Sequence, residues 1–251
     1  MIEPSLITFQ GLVYKINMFC VSLAKPNISQ VCEQIEKFSE ITDLFEIRID
    51  SLENLSRDEI LKVFSYPFRF IFTLRTYREG GKAQLSPQSY IDWILWALQQ
   101  PFYLIDVEWR YFKRYYEKFN LTTSFYDKYD KILVSYHNFN RTPEKGYLKR
   151  MLREMGEKGV KKAKIVTMAK VFEDSLRLLD VIRFAKELGI ELVTFGMGEA
   201  GRLSRVLCLL AGSPFTYVAP SKEEAVAPGQ IDLLTAKTIY SNLLDHLPKP
   251  S

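Results

Sequence analysis

Lys164 stands in the run Lys161-Lys162-Ala163-Lys164-Ile165-Val166-Thr167-Met168. The run has strand character, and in a barrel of parallel strands alternate residues point inward. Lys164 shares its parity with Val166 and Met168, so it faces the interior if they do. An ammonium there loses hydration, which favours the neutral amine. A neutral amine beside an acid/base group attacks a ketone and forms an imine. Lys161, Lys162 and Lys170 are rivals for that role, and a solvated basic strand end is the plain alternative.

Other residues bear on the choice. The chain has two histidines, and His246 falls near its end. His137 closes the run Ser135-Tyr136-His137, one strand before the lysine, where an imidazole can move protons near neutral pH. Glu46, Arg48 and Asp50 alternate along an earlier strand, and three charges inside a barrel need either one another or a ligand. Arg75 and then Glu79-Gly80-Gly81 follow the next strand, with glycines that let the backbone turn close to a ligand. Asp106 and Glu108 share one face of the strand after that. No histidine or further carboxylate is spaced to complete a cation site with them, so no metal is expected.

Gly196-Met197-Gly198-Glu199-Ala200-Gly201 matches the glycine pattern of dinucleotide sites. Too little chain follows for a nucleotide-binding sheet, and no strand-end acid has the required spacing, so nicotinamide and flavin are set aside. The same loop leads into Arg202-Leu203-Ser204-Arg205, arginines at a helix start where an anion is welcome. Ala227-Pro228-Gly229-Gln230 makes a tight turn that sets an amide beside the opening of the last helix.

The elements that must position these groups alternate. Strand-length apolar runs fall at Met18–Leu23, Leu44–Asp50, Phe68–Leu74, Tyr103–Val107, Lys131–Tyr136, Lys162–Thr167, Glu191–Phe195 and Phe215–Val218. Helical stretches lie between them, with start signals at Ser29, Ser56, Ser86-Pro87 and Thr142-Pro143. Phe172–Leu188, Ser204–Leu210 and Ile231–Leu244 complete the helical series. The alternation predicts an α/β fold, a (β/α)₈ TIM barrel, with a doubly wound open sheet as the alternative. Residues 1–17 read as an N-terminal hairpin covering one end, 18–246 as the barrel, and 247–251 as a tail or the start of a linker.

With 251 residues, 47% of them hydrophobic, the chain has the length of one barrel domain. The net charge of +4 is spread along the chain. That suits a small acidic substrate better than nucleic acid, which calls for a concentrated basic stripe. Three cysteines in no metal-like spacing point to a reducing cytoplasm, and neither a secretion signal nor a membrane span is expected.

Taken in order, Glu46-x-Arg48-x-Asp50, Arg75-x3-Glu79-Gly80-Gly81, Ser135-x-His137-x-Phe139-x2-Thr142-Pro143, Lys164-Ile165, Ser204-Arg205, Gly212-Ser213 and Ala227-Pro228-Gly229-Gln230 resemble type I 3-dehydroquinate dehydratases over essentially Met18 to Leu244. The resemblance implies a metal-free, cofactor-free barrel enzyme of the shikimate pathway that removes water from 3-dehydroquinate by syn elimination. By that likeness Lys164 forms the imine, His137 shuttles protons and Glu79 orients His137. Arg205 clamps the substrate carboxylate, while Glu46, Arg48, Arg75, Ser22 and Gln230 hold its hydroxyls and close the site. Family members are often dimers, and some are fused to a shikimate dehydrogenase. One departure stands out: four residues before Gln230, where the family usually has a hydroxyl residue, this chain has Val226. Another Schiff-base lyase or aldolase on the same barrel, and a catalytically silent binding module, are the competing expectations.

Overall fold

The computed structural model describes residues 6–9, 12–15, 18–120 and 130–246. β1 (Leu6–Phe9) and β2 (Leu12–Lys15) pair antiparallel, as a hairpin requires. The rest of residues 1–17 and the tail at 247–251 lie outside the described residues.

From β3 (Phe19–Leu23) onward, strand and helix alternate: α1 (Ile28–Phe38), β4 (Leu44–Arg48), α2 (Arg57–Leu61), β5 (Arg69–Thr73), α3 (Pro87–Leu98), β6 (Leu104–Glu108), α4 (Trp109–Arg114), α5 (Tyr116–Asn120), β7 (Ile132–Asn138) and α6 (Lys145–Glu157). The series ends with β8 (Lys162–Met168), α7 (Phe172–Glu187), β9 (Glu191–Met197), α8 (Ser204–Ala211), β10 (Thr216–Val218) and α9 (Leu233–Asp245). The strands are buried on both faces, which is why they read as short, nearly continuous apolar runs such as Arg69-Phe70-Ile71-Phe72-Thr73.

β3 to β9 pair in chain order, all parallel, and β10 returns to pair with β3. A doubly wound sheet would reverse its strand order at a switch point, so the barrel expectation holds. No ladder joins β9 to three-residue β10 among the described residues. Side chains close the wall there, with the Phe195 and Tyr217 rings 6.4 Å apart.

Two of the four helix starts fall as expected. Ser56 accepts from Glu59 N, and Ser86 accepts from Ser89 N ahead of Pro87. The other two differ. Asn27 caps α1 by accepting from Gln30 N at 3.0 Å, so Ser29 lies inside the helix. Thr142-Pro143 does not open α6. The Thr142 hydroxyl instead bonds to Thr167 Oγ1 at 2.8 Å and donates to Met168 O at 3.0 Å, which fixes the loop after β7 to the end of β8.

The glycine-rich segment after β9 is a packing device. Ser204 Oγ accepts from Gly196 N at 2.8 Å and donates to Gly201 O at 2.5 Å, folding the turn so that Arg205 enters α8 from its first turn. A Cβ on Gly201 would stand 2.3 Å from Gly196 C. Gly201→Ala should therefore lower stability by about 1–3 kcal/mol through forced backbone movement. A thermal melt checks this, and an unchanged melting temperature would show that the turn relaxes freely.

Candidate active site

In such a barrel alternate strands each contribute one side chain to an interior layer, usually an aliphatic one. Here β4, β6, β8 and β10 contribute Glu46, Asp106, Lys164 and Tyr217. Lys164 is 5% exposed, and its inward parity with Val166 holds. Its Nζ lies 3.5 Å from Glu46 Oε1, 3.4 Å from Asp106 Oδ2 and 3.7 Å from the centroid of the Tyr217 ring. The rival lysines are elsewhere: Lys161 and Lys170 are exposed, and Lys162 donates to the carbonyl of Asp130.

Each carboxylate beside the amine is held from its far side. Glu46 accepts from Thr73 Oγ1 at 2.8 Å. Asp106 accepts from Arg75 and from Ser135 Oγ, both at 2.5 Å. Burial alone would push Asp106 up, but Arg75, Lys164 and the Ser135 hydroxyl bring its carboxyl below the usual range.

His137 follows Ser135 by two residues on β7, and Ser135 pairs in register with Lys164. Its Nδ1 lies 2.8 Å from Glu79 Oε2, which leaves Nε2 as the ring nitrogen for a ligand. Burial pushes the His137 imidazole well down, with Arg75, Lys164 and Arg48 adding to the effect. Burial and then Glu108 push the Glu79 carboxyl up to about 8, against the pull of Arg75. The dyad therefore avoids charge separation near neutral pH and presents an uncharged imidazole, the form that accepts a proton.

Arg75 is expected among the residues that hold substrate hydroxyls; it lines the cavity and is also bound within the protein. Besides Asp106 it reaches Ser135 Oγ at 2.9 Å and stands 3.6 Å from both Glu79 and Glu108. Glu108 in turn accepts from Thr76 N and Thr76 Oγ1. The Asp106–Glu108 pair thus serves as the counter-charge of Arg75. Arg48 is held by Asp50 through two hydrogen bonds, at 2.9 and 2.8 Å, and still lines the cavity with Glu46 and Ser22. Gly80 lines the cavity, and a Cβ on Gly80 or Gly81 would stand 2.1 Å from the Phe139 ring or 2.0 Å from Arg75 O, respectively.

Arg205 is 2% exposed and has no carboxylate partner among the described residues. Its guanidinium packs 4.4 Å above the Phe195 ring, one NH2 donates to Pro228 O, and Nε is buried without an acceptor. Burial pushes it down to about 9. The segment from Ala219 to Asp232 closes over this end and is pinched at its base by Ala219 N to Ile231 O and Leu233 N to Ala219 O. Within it Gln230 Oε1 accepts from Val226 N at 2.8 Å, and Glu224 pairs with Lys25. Val226, Ala227 and Gln230 line the cavity, which encloses about 500 Å³ including its open mouth.

Lys164, His137, Glu79, Glu46, Arg48, Arg75, Arg205, Gln230 and Ser22 all border that one cavity. Two contributors were not singled out from sequence. Asp106 was weighed only for metal binding, and Tyr217 only as part of a strand. The signal for both was parity: each is an inward position on a strand alternating with that of Lys164.

The Glu79 titration has a stability consequence. Unfolded, Glu79 ionises near 4.5, whereas folded it does so near 8, so the unfolded state holds fewer protons between those values. Stability contributed by this group is therefore lost as pH rises through that window. Low His137 basicity works in the opposite sense, below its ordinary value of 6.5. Glu79→Gln should gain melting temperature relative to the unsubstituted protein as pH rises from about 5 to about 8. Melts across that range check it, and a difference that stays flat would count against the raised value.

Comparison with known proteins agrees with this geometry. A model of the family described as Type I 3-dehydroquinase matches residues 19–246. The 3-dehydroquinate dehydratase of Methanocaldococcus jannaschii is 34% identical over 229 residues, covering 89% of this chain and 97% of that protein. That of Streptococcus gordonii is 38% identical over 213 residues, covering 78% and 85%. The solved 3-dehydroquinate dehydratase of Geobacillus kaustophilus superposes with a TM-score of 0.80 at 26% identity, covering 98% of each chain. By sequence and by architecture, the chain belongs to the type I 3-dehydroquinase family.

Proposed function

We infer that this protein is a hydro-lyase that converts 3-dehydroquinate to 3-dehydroshikimate and water through an imine on Lys164. This is a step of the shikimate pathway to aromatic amino acids. The observation that carries the assignment of roles is the placement of one buried lysine, one histidine–glutamate dyad and one unpaired buried arginine around a single cavity. The family supports a cytoplasmic enzyme acting on a small molecule and, by the same likeness, a homodimer. No helix among the described residues is long and apolar enough to cross a membrane.

Lys164 Nζ attacks the substrate ketone, and the carbinolamine loses water to give an iminium. That cation withdraws electrons from the neighbouring C–H bond, so a neutral imidazole suffices as base. His137 takes the proton, the C–H electron pair forms the C=C bond of an enamine, and the C=N pair moves onto nitrogen. The nitrogen then returns its pair to re-form C=N, the C=C bond shifts and the C–O bond breaks, and His137 gives its proton to the departing hydroxyl, which leaves as water. Water finally hydrolyses the product iminium and frees the lysine. A positioned proton-transfer group of this kind contributes about 10²–10⁴-fold. Arg205 supplies orientation by binding the substrate carboxylate through two parallel hydrogen bonds, and its unaccepted Nε is one of the donors available for them.

Borohydride added with 3-dehydroquinate should reduce the iminium and fix the substrate carbon skeleton to Lys164. Peptide mapping is expected to find that adduct in the native protein and in Lys162→Ala, and to lose it in Lys164→Ala. An adduct on any other lysine would sink the assignment.

Val226 presents an alkyl group to the cavity where a hydroxyl would reach a substrate oxygen. Its backbone N–H already holds Gln230 in place. Val226→Ser should therefore lower KM about 2- to 10-fold, the value of one added hydrogen bond, with kcat little changed. Steady-state kinetics decide, and identical constants would show that this position does not touch the substrate.

A further inference from the structure

Tyr217 is the third partner of the amine beside the two carboxylates: its ring centroid is 3.7 Å from Lys164 Nζ, well inside the roughly 6 Å over which a ring face attracts a cation. The ring is 3% exposed and lines the cavity. Its hydroxyl is buried and accepts or donates no hydrogen bond. A tyrosine placed for its oxygen would have a partner for it. This one contacts the reacting nitrogen through its face and leaves the oxygen idle.

The chemistry gives that face a task. Imine formation conserves charge, since an ammonium plus a ketone gives an iminium plus water. The nitrogen goes from three N–H bonds to one. In the empty site Glu46 and Asp106 both attend the ammonium, and a single N–H cannot serve both. Attraction to a ring face depends on charge and position and needs no N–H. We propose that Tyr217 is a further catalytic residue of this enzyme, whose ring face holds the nitrogen cation through the change from ammonium to iminium. The proposal rests on Lys164 being the imine-forming residue.

The phenol itself stays out of the proton traffic, because burial and the nearby Glu46 push it well above its ordinary range. Loss of the hydroxyl should therefore be harmless: it has no partner to abandon.

The test reads the fraction of enzyme fixed by borohydride during steady turnover of 3-dehydroquinate, measured by intact mass. Tyr217→Phe should trap as the native protein does, and Tyr217→Leu about tenfold less, the effect expected for a desolvated cation that loses an aromatic face. Phenylalanines carrying one, two and three ring fluorines at this position keep the shape while draining the face of negative potential, so trapping should fall stepwise along the series. This series remains readable even if the leucine variant fails to fold. Trapping that stays constant across the series, while still requiring Lys164, overturns the role of the ring and leaves the imine reading intact. Trapping that survives Lys164→Ala overturns both.

Discussion

The structure depends on holding one amine inside a barrel among partners that attract it whenever it carries a positive charge. An ammonium moved from water to a protein interior loses several kcal/mol of solvation that only close partners restore. Lys164 has three, from β4, β6 and β10. Glu46 is already committed to Thr73 and Asp106 to Arg75 and Ser135, so each carboxylate offers charge while its remaining bonds hold it still. The aromatic face offers attraction with no basic atom at all. An interior layer that elsewhere would be aliphatic is here a charge-balanced cage around one amine.

Arg75 carries that arrangement across the barrel. It stands between Asp106, which serves the lysine, and Glu79, which serves the histidine, with Glu108 completing its counter-charge. Its position couples the two halves of the chemistry. Near Arg75 and Lys164 an imidazolium is disfavoured, so His137 rests uncharged. On the proposed roles the proton shuttle and the electron sink are thereby kept on separate groups, and the imidazole acquires its charge only during the reaction. Removing Arg75 would take away the one cation that Asp106, Glu79 and Glu108 share.

Much of this was legible in the sequence because parity is a strong signal on a barrel strand. Parity ties Lys164 to Val166, so the lysine is inside once that valine is, and His137 stands out by its position at the end of the preceding strand. The strand order followed from the alternation of short apolar runs with capped helices. What could not be seen were properties that depend on partners distant in sequence. Thr142-Pro143 has the residue types of a helix start, yet the threonine is drawn to Thr167 on the neighbouring strand, a tertiary contact that overrides local preference. Gly80-Gly81 carries the mark of a ligand-facing turn, and Gly80 does line the cavity, but the close approach of Phe139 and the Arg75 carbonyl could not be read from sequence. Asp106 and Tyr217 are ordinary strand residues until the barrel brings β6 and β10 to the amine.

Arg205 shows how the empty site selects its substrate. Every other buried cation of the cavity has an acid within reach, whereas Arg205 has only a carbonyl, an aromatic face and a buried Nε lacking an acceptor. Burial without an anion is what holds it down near 9. A carboxylate brought by the ligand would satisfy that nitrogen and restore charge balance at one stroke. A ligand without one would leave the guanidinium as it stands and gain little. Pro228, which takes the one guanidinium hydrogen bond made to protein, belongs to the segment that closes the cavity, so the anchor for the anion and the position of the lid are set by the same side chain. On the proposed roles, recognition of negative charge falls to a single buried arginine, and the imine forms across the cavity beneath the segment that this arginine helps to hold.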